Sequence, residues 1–269
     1  MRAGRASATA QRVAAQRLTF ERVVADGGDP SSDDLLARDV AGGVAVSPGV
    51  PMSRYLAGRT SFFDRVVVRS LDVGVRQVVV AAAGYDGRSL RYARPGVHWF
   101  EVDHPDTQAD KRARLRRLGI ATDAVAFVPA DFAVDDVAGA LATAGHDATR
   151  PSLFLCEGIA VYLDDDVLRS LLRRLRDRAA AGSRLAISLS VDAGLPGLEE
   201  RRRRFEAAVA ALGEPARSTI TIDGAADLLA AAGWEEVGPV AGSDRATRAR
   251  VAGFAVLRPA DRPAPRPQA

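Results

Sequence analysis

Acidic side chains stand at the ends of several apolar runs in this sequence. Asp86, Asp103, Asp131 and Glu157 each end or closely follow such a run. If the runs are parallel strands, their carboxyl ends face one crevice, which is where ligands bind in open α/β sheets. Four carboxylates in one crevice would repel the pyrophosphate of a dinucleotide or a nucleoside triphosphate. The pattern therefore favours a ligand with hydroxyl groups and positive charge.

The loop after the first apolar run points to one ligand of that kind. It reads AAAGYDGR, with Gly84 and Gly87 in the second and third positions of G-x-G-x-x-G but Ala82 in the first. S-adenosyl-L-methionine carries a ribose diol, an α-ammonium and a sulfonium but no pyrophosphate, so its loop needs fewer glycines. Asp103 lies 19 residues beyond Gly84, close to the spacing of about 20 for an acid that binds a ribose. We predict this cofactor, although Asp103 could instead cap the next helix.

Five mostly continuous apolar runs are typical of strands covered on both faces. They span 77–83, 98–103, 124–131, 152–158 and 184–190. Helical patterns between them, at 107–118, 134–144 and 164–181, imply right-handed crossovers and a doubly wound, mostly parallel α/β sheet. Two further short strands, 234–237 and 251–257, should add an antiparallel pair at the edge, which makes seven strands in all.

The sequence predicts one α/β domain, 52–258, with a helical arm before it and an insertion within it. The arm, 1–51, would contain a helix at 7–24 followed by a Gly- and Asp-rich joint at 26–34. We expect the arm and the insertion, 193–219, to form the lid and the substrate walls. Their arginines could hold an anionic acceptor.

The basic residues do not indicate a nucleic-acid partner. Lys111 is the only lysine among 37 basic residues, and the net charge is +3. The densest basic runs, 111–117 and 201–204, fall in helical patterns, where solvated helix faces explain them. No nucleic-acid recognition motif accompanies the charge.

Cysteine usage and hydropathy favour a cytoplasmic location. Cys156 is the only cysteine and lies in an apolar run, so we expect a buried, inert thiol with no disulfide partner in the chain. No apolar run approaches the roughly 20 residues that cross a bilayer, and we expect no secretion signal. We predict no membrane partner and no metal. The Pro-rich segment 259–269 is expected to be a disordered tail.

Five short motifs occur in order along the chain. They are RTSFFD at 59–64, AAGYDGR at 82–88, FEVDHP at 100–105, PAD at 129–131 and CEGIAVYL at 156–163. Together they resemble the leucine carboxyl methyltransferase family, and more narrowly its bacterial branch of S-adenosyl-L-methionine-dependent O-methyltransferases, many of them in specialised metabolism. The resemblance covers about residues 52–190, and the arm is similar only loosely. It implies the Rossmann-like fold of class I methyltransferases.

The resemblance also implies a role for each matching residue. Arg59 would pair with the methionine carboxylate of the cofactor through a planar fork that lysine would not copy. The other cofactor-binding positions are Ala82 and Gly84 at the methionine moiety, Asp103 at the ribose, Asp131 and Phe132 at the adenine and Glu157 at the amino group, with Asp86 as a further member. Tyr162 matches a substrate-side tyrosine. The family usually has glycine at position 82 and threonine at position 87, where this chain has Ala82 and Gly87.

Three hypotheses for the function follow, and the oligomeric state stays open. The first is O-methylation of a carboxylate or hydroxyl of a small molecule, and a carboxylic acid is favoured. A carboxyl group has a pKa of about 4 and needs no base, whereas a hydroxyl needs one within hydrogen-bond reach, and no clear base emerges. The second is methylation of a peptide or protein C-terminus, which would need an open groove. The third is a non-catalytic cofactor-binding protein in which Ala82 marks decay, and a dehydrogenase fits least.

Overall fold

The structure is a computed structural model that describes residues 4–42, 51–192, 194, 198–237 and 253–261. The strands are β1 (Gln77–Ala81), β2 (His98–Asp103), β3 (Val125–Pro129), β4 (Ser152–Cys156), β5 (Arg184–Ser188), β6 (Val191–Asp192), β7 (Ile220–Thr221), β8 (Trp234–Glu236) and β9 (Phe254–Pro259). The helices are α1 (Ala8–Arg17), α2 (Pro30–Ala41), α3 (Pro51–Asp72), α4 (Arg88–Arg91), α5 (Pro105–Arg117), α6 (Val137–Thr143), α7 (Asp165–Asp177), α8 (Leu198–Ala210) and α9 (Ile222–Ala231).

Seven of these strands form one twisted sheet in the order β3-β2-β1-β4-β5-β9-β8. The first five are parallel, while β9 is antiparallel to both β5 and β8. The predicted doubly wound, mostly parallel seven-stranded sheet with an antiparallel edge pair is confirmed. The order reverses beside β1, so the carboxyl ends of β1 and β4 flank the switch point at which such sheets bind ligands.

Helices cover both faces of the sheet and bury its continuous apolar strands. On one face α7 contributes Leu168, Leu171, Leu172 and Leu175, all nearly inaccessible to solvent, and Trp234 donates from Nε1 to the Leu172 carbonyl at 2.9 Å. On the other face α3 packs against β1, β2 and β4. Each fully buried leucine contributes about 2 kcal/mol of stability relative to an exposed one. The four leucines therefore stabilise the packing of α7 against the sheet.

Several strands end earlier than the apolar runs suggested. The ladder of β1 ends at Ala81, that of β3 at Pro129 and that of β4 at Cys156, two residues before the predicted ends. The run continues past each strand because the loops that follow are themselves packed against the core. This places Asp131 and Glu157 in loops, where their side chains are not constrained to the alternation of a strand.

The N-terminal arm differs from its prediction. The helix expected at 7–24 ends at Arg17, and the expected joint at 26–34 contains the start of α2. Asp29 caps α2 by accepting from the Ser32 amide at 3.0 Å, and Pro30 occupies the first helical turn. Asp followed by Pro is a helix-start signal as well as a turn signal, and the apolar contacts of the helix decide between the two readings.

The chain adds one small feature that periodicity could not predict, the parallel pair β6–β7. It brackets the insertion, but two-residue strands carry no repeating pattern. At the other end of the chain, β9 extends to Pro259, and Ala260 donates to the Gly233 carbonyl at 2.9 Å. The first residues of the predicted tail 259–269 therefore belong to the sheet edge, while 262–269 lie outside the described residues. Among the helices that the structure describes, none is long and apolar enough to span a membrane.

Candidate functional site

A large cavity opens at the carboxyl ends of β1, β2, β3 and β4, and its volume is about 1880 Å³. Loops after the strands form its floor, and α1, α3 and α8 form its walls. Its lining contains the predicted residues Arg59, Ala82, Gly84, Asp103, Asp131, Phe132, Glu157 and Tyr162. Ligand pockets of about 300–1000 Å³ hold a drug-sized molecule, so this volume has room for two ligands.

The loop after β1 is strained at Ala82, which has φ +56° and is the only non-glycine with positive φ among the described residues. A residue with a Cβ atom costs about 1 kcal/mol or more in this left-handed region. From the sequence alone, the expected effect of alanine at position 82 is the size of one added methyl group. The structure shows that the cost lies in the backbone conformation instead. Gly84, at φ +49°, lies so close to α1 that an added Cβ would be 3.0 Å from Ala10 Cβ.

Gly87 has a different reason to be glycine. Its φ of −102° is ordinary, so it does not relax the loop by adopting a left-handed conformation. A Cβ atom at this position would lie 1.7 Å from Oδ1 of Asp33, a residue of α2. The threonine usual in the family could not occupy this position without moving the Asp33 side chain. The departure at position 87 is therefore coupled to how this arm packs on the loop.

Asp103, at the end of β2, closes over the same loop. It accepts hydrogen bonds from the Gly84 amide and, at 2.6 Å, from the His104 amide. Burial raises the pKa of Asp103 to about 6, although those two amides and Lys111 act to lower it. No arginine pairs with this carboxylate within the described part of the chain, so it stands ready to accept hydrogen bonds from a ligand.

Glu157, by contrast, is already surrounded by three arginines. Oε1 accepts from Arg59 Nε at 2.9 Å, while Oε2 accepts from Arg88 Nη1 at 2.5 Å and from Arg17 Nη2 at 3.4 Å. Burial acts to raise the pKa of Glu157, but the three guanidinium groups outweigh it, Arg88 most strongly, and the pKa is well below its ordinary value. Glu157 is a permanently charged anchor for cationic side chains.

Asp86 does not line the cavity. Its side chain is buried on the side of the loop away from the cavity. There its Oδ2 accepts from Arg88 Nη1 at 2.6 Å and its Oδ1 accepts from the Arg88 amide at 2.9 Å. The expectation of four carboxylates facing one crevice is therefore wrong. Asp103, Asp131 and Glu157 line it, and only the first two lack an arginine partner among the described residues.

Arg59 presents two unused donors to the cavity. Its Nε is bonded to Glu157, but Nη1 and Nη2 make no hydrogen bond within the described residues. The guanidinium lies against Gly158, where φ is +71° and an added Cβ would be 2.9 Å from Nη1. Gly158 thus lets the guanidinium lie flat on the backbone, and Tyr55 contacts it from α3, 5.8 Å from the ring centre.

Sequence reasoning missed two further arginines at this end of the cavity. Arg17, the last residue of α1, is 9% exposed and reaches Glu157 and Asp86, yet its buried Nε has no hydrogen-bond partner among the described residues. Arg88 is fully buried. Arg17 follows Ala14 by one turn on the apolar face of α1, and this position in the sequence indicates that its side chain is buried. Arg88 ends the motif AAGYDGR, but the sequence alone assigns it no role.

Tyr162 lies where the arm meets the insertion. Burial raises the pKa of Tyr162 above its ordinary value, although the nearby Thr9 side chain acts to lower it. Glu214 of the insertion accepts from the Ser7 hydroxyl at 2.9 Å, the Ala8 amide at 2.7 Å and the Thr9 hydroxyl. The arm and the insertion therefore meet over the cavity, as the lid prediction requires, and Glu214 caps the N-terminus of α1 from outside the helix.

The remaining predictions concern Asp131, Phe132, Cys156 and Lys111. Asp131 accepts from the Ala133 amide at 2.9 Å, and Phe132 packs partly buried beside it. Cys156 is buried, as expected, and burial raises its pKa to about 12. Lys111 contradicts its prediction: it is 2% exposed rather than part of a solvated helix face. No group of metal-ligating side chains occurs within the described residues.

The strand order, the reversed β9 and the cavity at the strand ends define the class I methyltransferase fold. A solved protein from Thermobifida fusca, named provisionally as a methyltransferase, aligns with a TM-score of 0.57 at 18% identity, over 96% of this chain and 97% of its own. The magnesium protoporphyrin IX methyltransferase of Synechocystis, solved with bound SAH, aligns with a TM-score of 0.52 at 14% identity, over 84% and 93%.

The sequence model of the leucine carboxyl methyltransferase family matches residues 8–176, more than half of the chain, and the chain belongs to this family. A relative from Frankia alni, named provisionally as an S-adenosyl-L-methionine-dependent methyltransferase, is 40% identical over 152 residues. That match covers 56% of this chain and 51% of the relative, so the chain spans about half the length of the relative it matches. The family model, whose match begins at residue 8, also reaches the arm, which the motifs related to the family only loosely.

Proposed function

We propose that the chain binds S-adenosyl-L-methionine in this cavity and transfers its methyl group to an oxygen of a small molecule. The observation that carries the proposal is a pair of groups in one cavity: the free Nη edge of Arg59 and the unpaired carboxylate of Asp103. The first suits an anionic group and the second suits a diol. The cofactor carries both, and membership of the family adds independent support.

The side chains fit the methionine end of this cofactor. Its carboxylate would accept from both Nη groups of Arg59, and the charge of Arg17, which lines the same cavity, would favour it there. Such charge-assisted hydrogen bonds are the strong ones. Glu157 holds these two arginines in place, and its remaining lone pairs would accept from the α-ammonium. Ala82, at the strained turn, would form the wall against this moiety.

The nucleoside end of the cofactor fits the adjoining loops. Asp103 would accept from the two ribose hydroxyls, Gly84 would allow close approach of the sugar to the loop, and Asp131 and Phe132 would contact the adenine. Asp86 would act at one remove, because its carboxylate orients Arg88 and does not reach the cavity. Asp86 is thus better described as supporting the site than as binding the cofactor.

When bound, the cofactor supplies an activated methyl group on a sulfonium. The chain would hold the acceptor oxygen in line with that methyl group and would exclude water from the two reacting groups. Tyr162, which lines the cavity beside the arm, would orient the acceptor by hydrogen bonding. The raised pKa keeps its phenol neutral at pH 7, so we assign it no role as a base.

The outer part of the cavity favours a small anionic acceptor. Its wall is apolar, with Leu163, Val167 and Phe205, and it also contains Arg12 and Arg54. These two arginines make no ion pair within the described residues, so they remain available to a carboxylate. A carboxylate acceptor is ionised at neutral pH and needs no base. The roof that α1 and the insertion form also suits an enclosed small molecule better than a protein C-terminus.

Calorimetric titration tests the proposal directly. The purified chain is titrated with S-adenosyl-L-methionine and its demethylated product, with NAD as the control ligand. We expect both sulfur nucleosides to bind at micromolar concentration, about −8 kcal/mol, and NAD to bind far more weakly. Equal binding of NAD, or no binding of either sulfur nucleoside, would contradict the cofactor assignment. A screen of carboxylic acids by product mass then separates catalysis from non-catalytic binding.

A further inference from the structure

The only lysine of the chain occupies a buried position beneath the cofactor loop. Lys111 lies in the middle of α5 and, like Glu101 of β2, is 2% exposed. Its Nζ donates to Glu101 Oε2 at 2.6 Å and to the main-chain carbonyl of Asp86 at 2.6 Å. The ammonium thus connects α5, β2 and the loop after β1. Everywhere else in this chain arginine supplies the basic side chain.

Stability alone does not account for a buried lysine–glutamate pair. Removing two charges from water costs as much as their attraction returns, and apolar pairs of similar volume are often as stable or more so. What the pair provides here is a defined geometry. Glu101 Oε1 also accepts from the Ser89 hydroxyl at 2.7 Å, so the pair holds the loop at Asp86 and the start of α4 together.

The ammonium group suits this position better than a guanidinium group. Lysine presents a compact charge whose donors diverge, whereas the arginine donors lie in one plane. The two acceptors belong to different elements, a side chain on β2 and a carbonyl in the loop. The same charge also acts on Asp103, two residues beyond Glu101: Lys111 lowers the pKa of Asp103 while Glu101 raises it.

We propose that Lys111 is a positioning residue of the cofactor site, which fixes the loop 82–87 through the Asp86 carbonyl. This inference rests on the proposed function for its ligand, but the loop geometry can be tested without it. Lys111 is not among the residues that line the cavity.

Three variants separate the effect of the tether, which is the hydrogen bond from Lys111 to the Asp86 carbonyl, from the effect of the lysine charge on Asp103. Lys111→Met removes the tether and leaves Glu101 unpaired. The double variant Glu101→Gln with Lys111→Met removes the tether but keeps the interior neutral and filled. Lys111→Arg keeps the charge and tests the geometry. Arg116→Met, at an exposed position of the same helix, is the matched control.

Each variant is examined by thermal melting, by amide hydrogen exchange of the loop, and by titration with S-adenosyl-L-methionine between pH 5 and 8. The groups facing Asp103 in this range are Glu101 and Lys111, with His104 and Asp106 at the start of α5 and, across the cavity, Glu157 with its arginines. All variants keep these groups except Glu101 and Lys111. A difference between variants in the pH midpoint of binding therefore reports the charges that were substituted.

We expect the double variant to melt within a few degrees of the wild type, to exchange its loop amides faster and to bind the cofactor about tenfold more weakly. Lys111→Met should also raise the pH midpoint of binding, a shift that the double variant reverses, and Lys111→Arg should rescue the midpoint but not the affinity. Wild-type affinity and loop exchange in the double variant would overturn the inference, even if Lys111→Met fails to fold. A wild-type chain that binds no cofactor would refute the proposed function. Amide hydrogen exchange of the loop in the double variant would still show whether Lys111 holds the loop in place.

Discussion

Residues 82, 59 and 103 each combine a measurable local property with a role in the proposed site. Ala82 has a strained backbone conformation, Arg59 keeps two donors free, and the half-buried Asp103 has no cationic partner that contacts it among the described residues. The sequence identified all three, because each stands in a recognisable motif. It did not show the strain at Ala82, since a dihedral angle depends on how the loop packs against α1 and β2.

Replacing Ala82 by glycine should stabilise the chain slightly. Relief of the left-handed conformation contributes about 1–2 kcal/mol, and the greater freedom of glycine in the unfolded chain takes back about 0.4–1 kcal/mol. We expect a net gain of up to about 1.6 kcal/mol in the free energy of unfolding in urea. Ala83→Gly is the control, since Ala83 lacks a positive φ and should lose stability. A loss of stability at position 82 as large as that at 83 would contradict the strain.

Arg59→Lys should weaken binding of S-adenosyl-L-methionine by about tenfold to a hundredfold. One ammonium cannot hold Glu157 and a ligand carboxylate with the planar fork of a guanidinium, and hydrogen bonds to charged groups contribute about 1.5–3 kcal/mol. Arg65→Lys, at an exposed position of the same helix, provides the control in the same titration. Unchanged affinity for the position 59 variant would remove this arginine from the site.

Asp103 should give cofactor binding and stability opposite dependences on pH. Its pKa of about 6 exceeds that of the unfolded chain, about 4, so its contribution to stability is full below pH 4 and is lost as pH rises through 6. Affinity should instead rise as pH increases from 5 to 7, because the ionised carboxylate accepts from the ribose. Titration and melting across this range measure both, and Asp103→Asn should flatten both profiles. Parallel slopes for binding and stability would contradict the assignment.

At the scale of elements, the Glu214 side chain links α1 to the insertion, and these two form the roof of the cavity. Glu214 accepts from the Ser7 hydroxyl and from the Ala8 amide, and its charge faces the N-terminal end of α1, where a carboxylate is favourable. The same helix carries Arg17 to the opposite end of the cavity. The position of α1 over the cavity therefore determines whether Arg17 reaches Glu157.

Glu214→Gln should loosen this roof without unfolding the sheet. Loss of the charge weakens three hydrogen bonds, for which we expect about 1–2 kcal/mol and roughly tenfold faster amide exchange in α1. Glu206→Gln, on α8 and in a longer ion pair with Arg202 at 3.6 Å, should leave α1 unchanged. If the amides of α1 exchange at the same rate in both variants, contacts other than those of Glu214 hold α1 in place.

Element prediction succeeded where a pattern repeats and failed where it does not. The leucine stripe of α7 and the apolar runs of β1 and β4 identified those elements, because their periods are properties of neighbouring residues. The start of α2 was interpreted as a joint because Gly and Asp precede it. Only burial of Leu36 and Val40 against α1 and the loop after β1 distinguishes that helix from a turn.

At the scale of the whole molecule, a buried network of charges joins the arm to the sheet. Arg88 contacts Asp64 of α3 at 2.7 Å, Asp86 of the loop and Glu157 after β4. Arg22, in the arm, shares Asp64 at 2.7 Å. Because these residues come from separate parts of the chain, the network forms only when the whole domain is assembled.

Arg88→Met should therefore destabilise the entire domain by about 3 kcal/mol or more, because it leaves three buried carboxylates without their shared partner. Urea denaturation measures the loss. Arg203→Met removes an exposed ion pair with Glu200 and should change the free energy of unfolding by less than about 0.5 kcal/mol. Similar losses in the two variants would show that the network contributes little.

The sequence by itself determined the sheet, its helices and most of the residues at the strand ends, since these follow from periodicity and motifs along the chain. Only the tertiary structure decided which carboxylates are available to a ligand. Arg17 meets Glu157 across 140 positions and Arg59 meets it across 98, so no local pattern records that Glu157 is paired and Asp103 is not. The charge of a site depends on which side chains meet in space, and that is settled by the packing of α1 and α3 over the sheet.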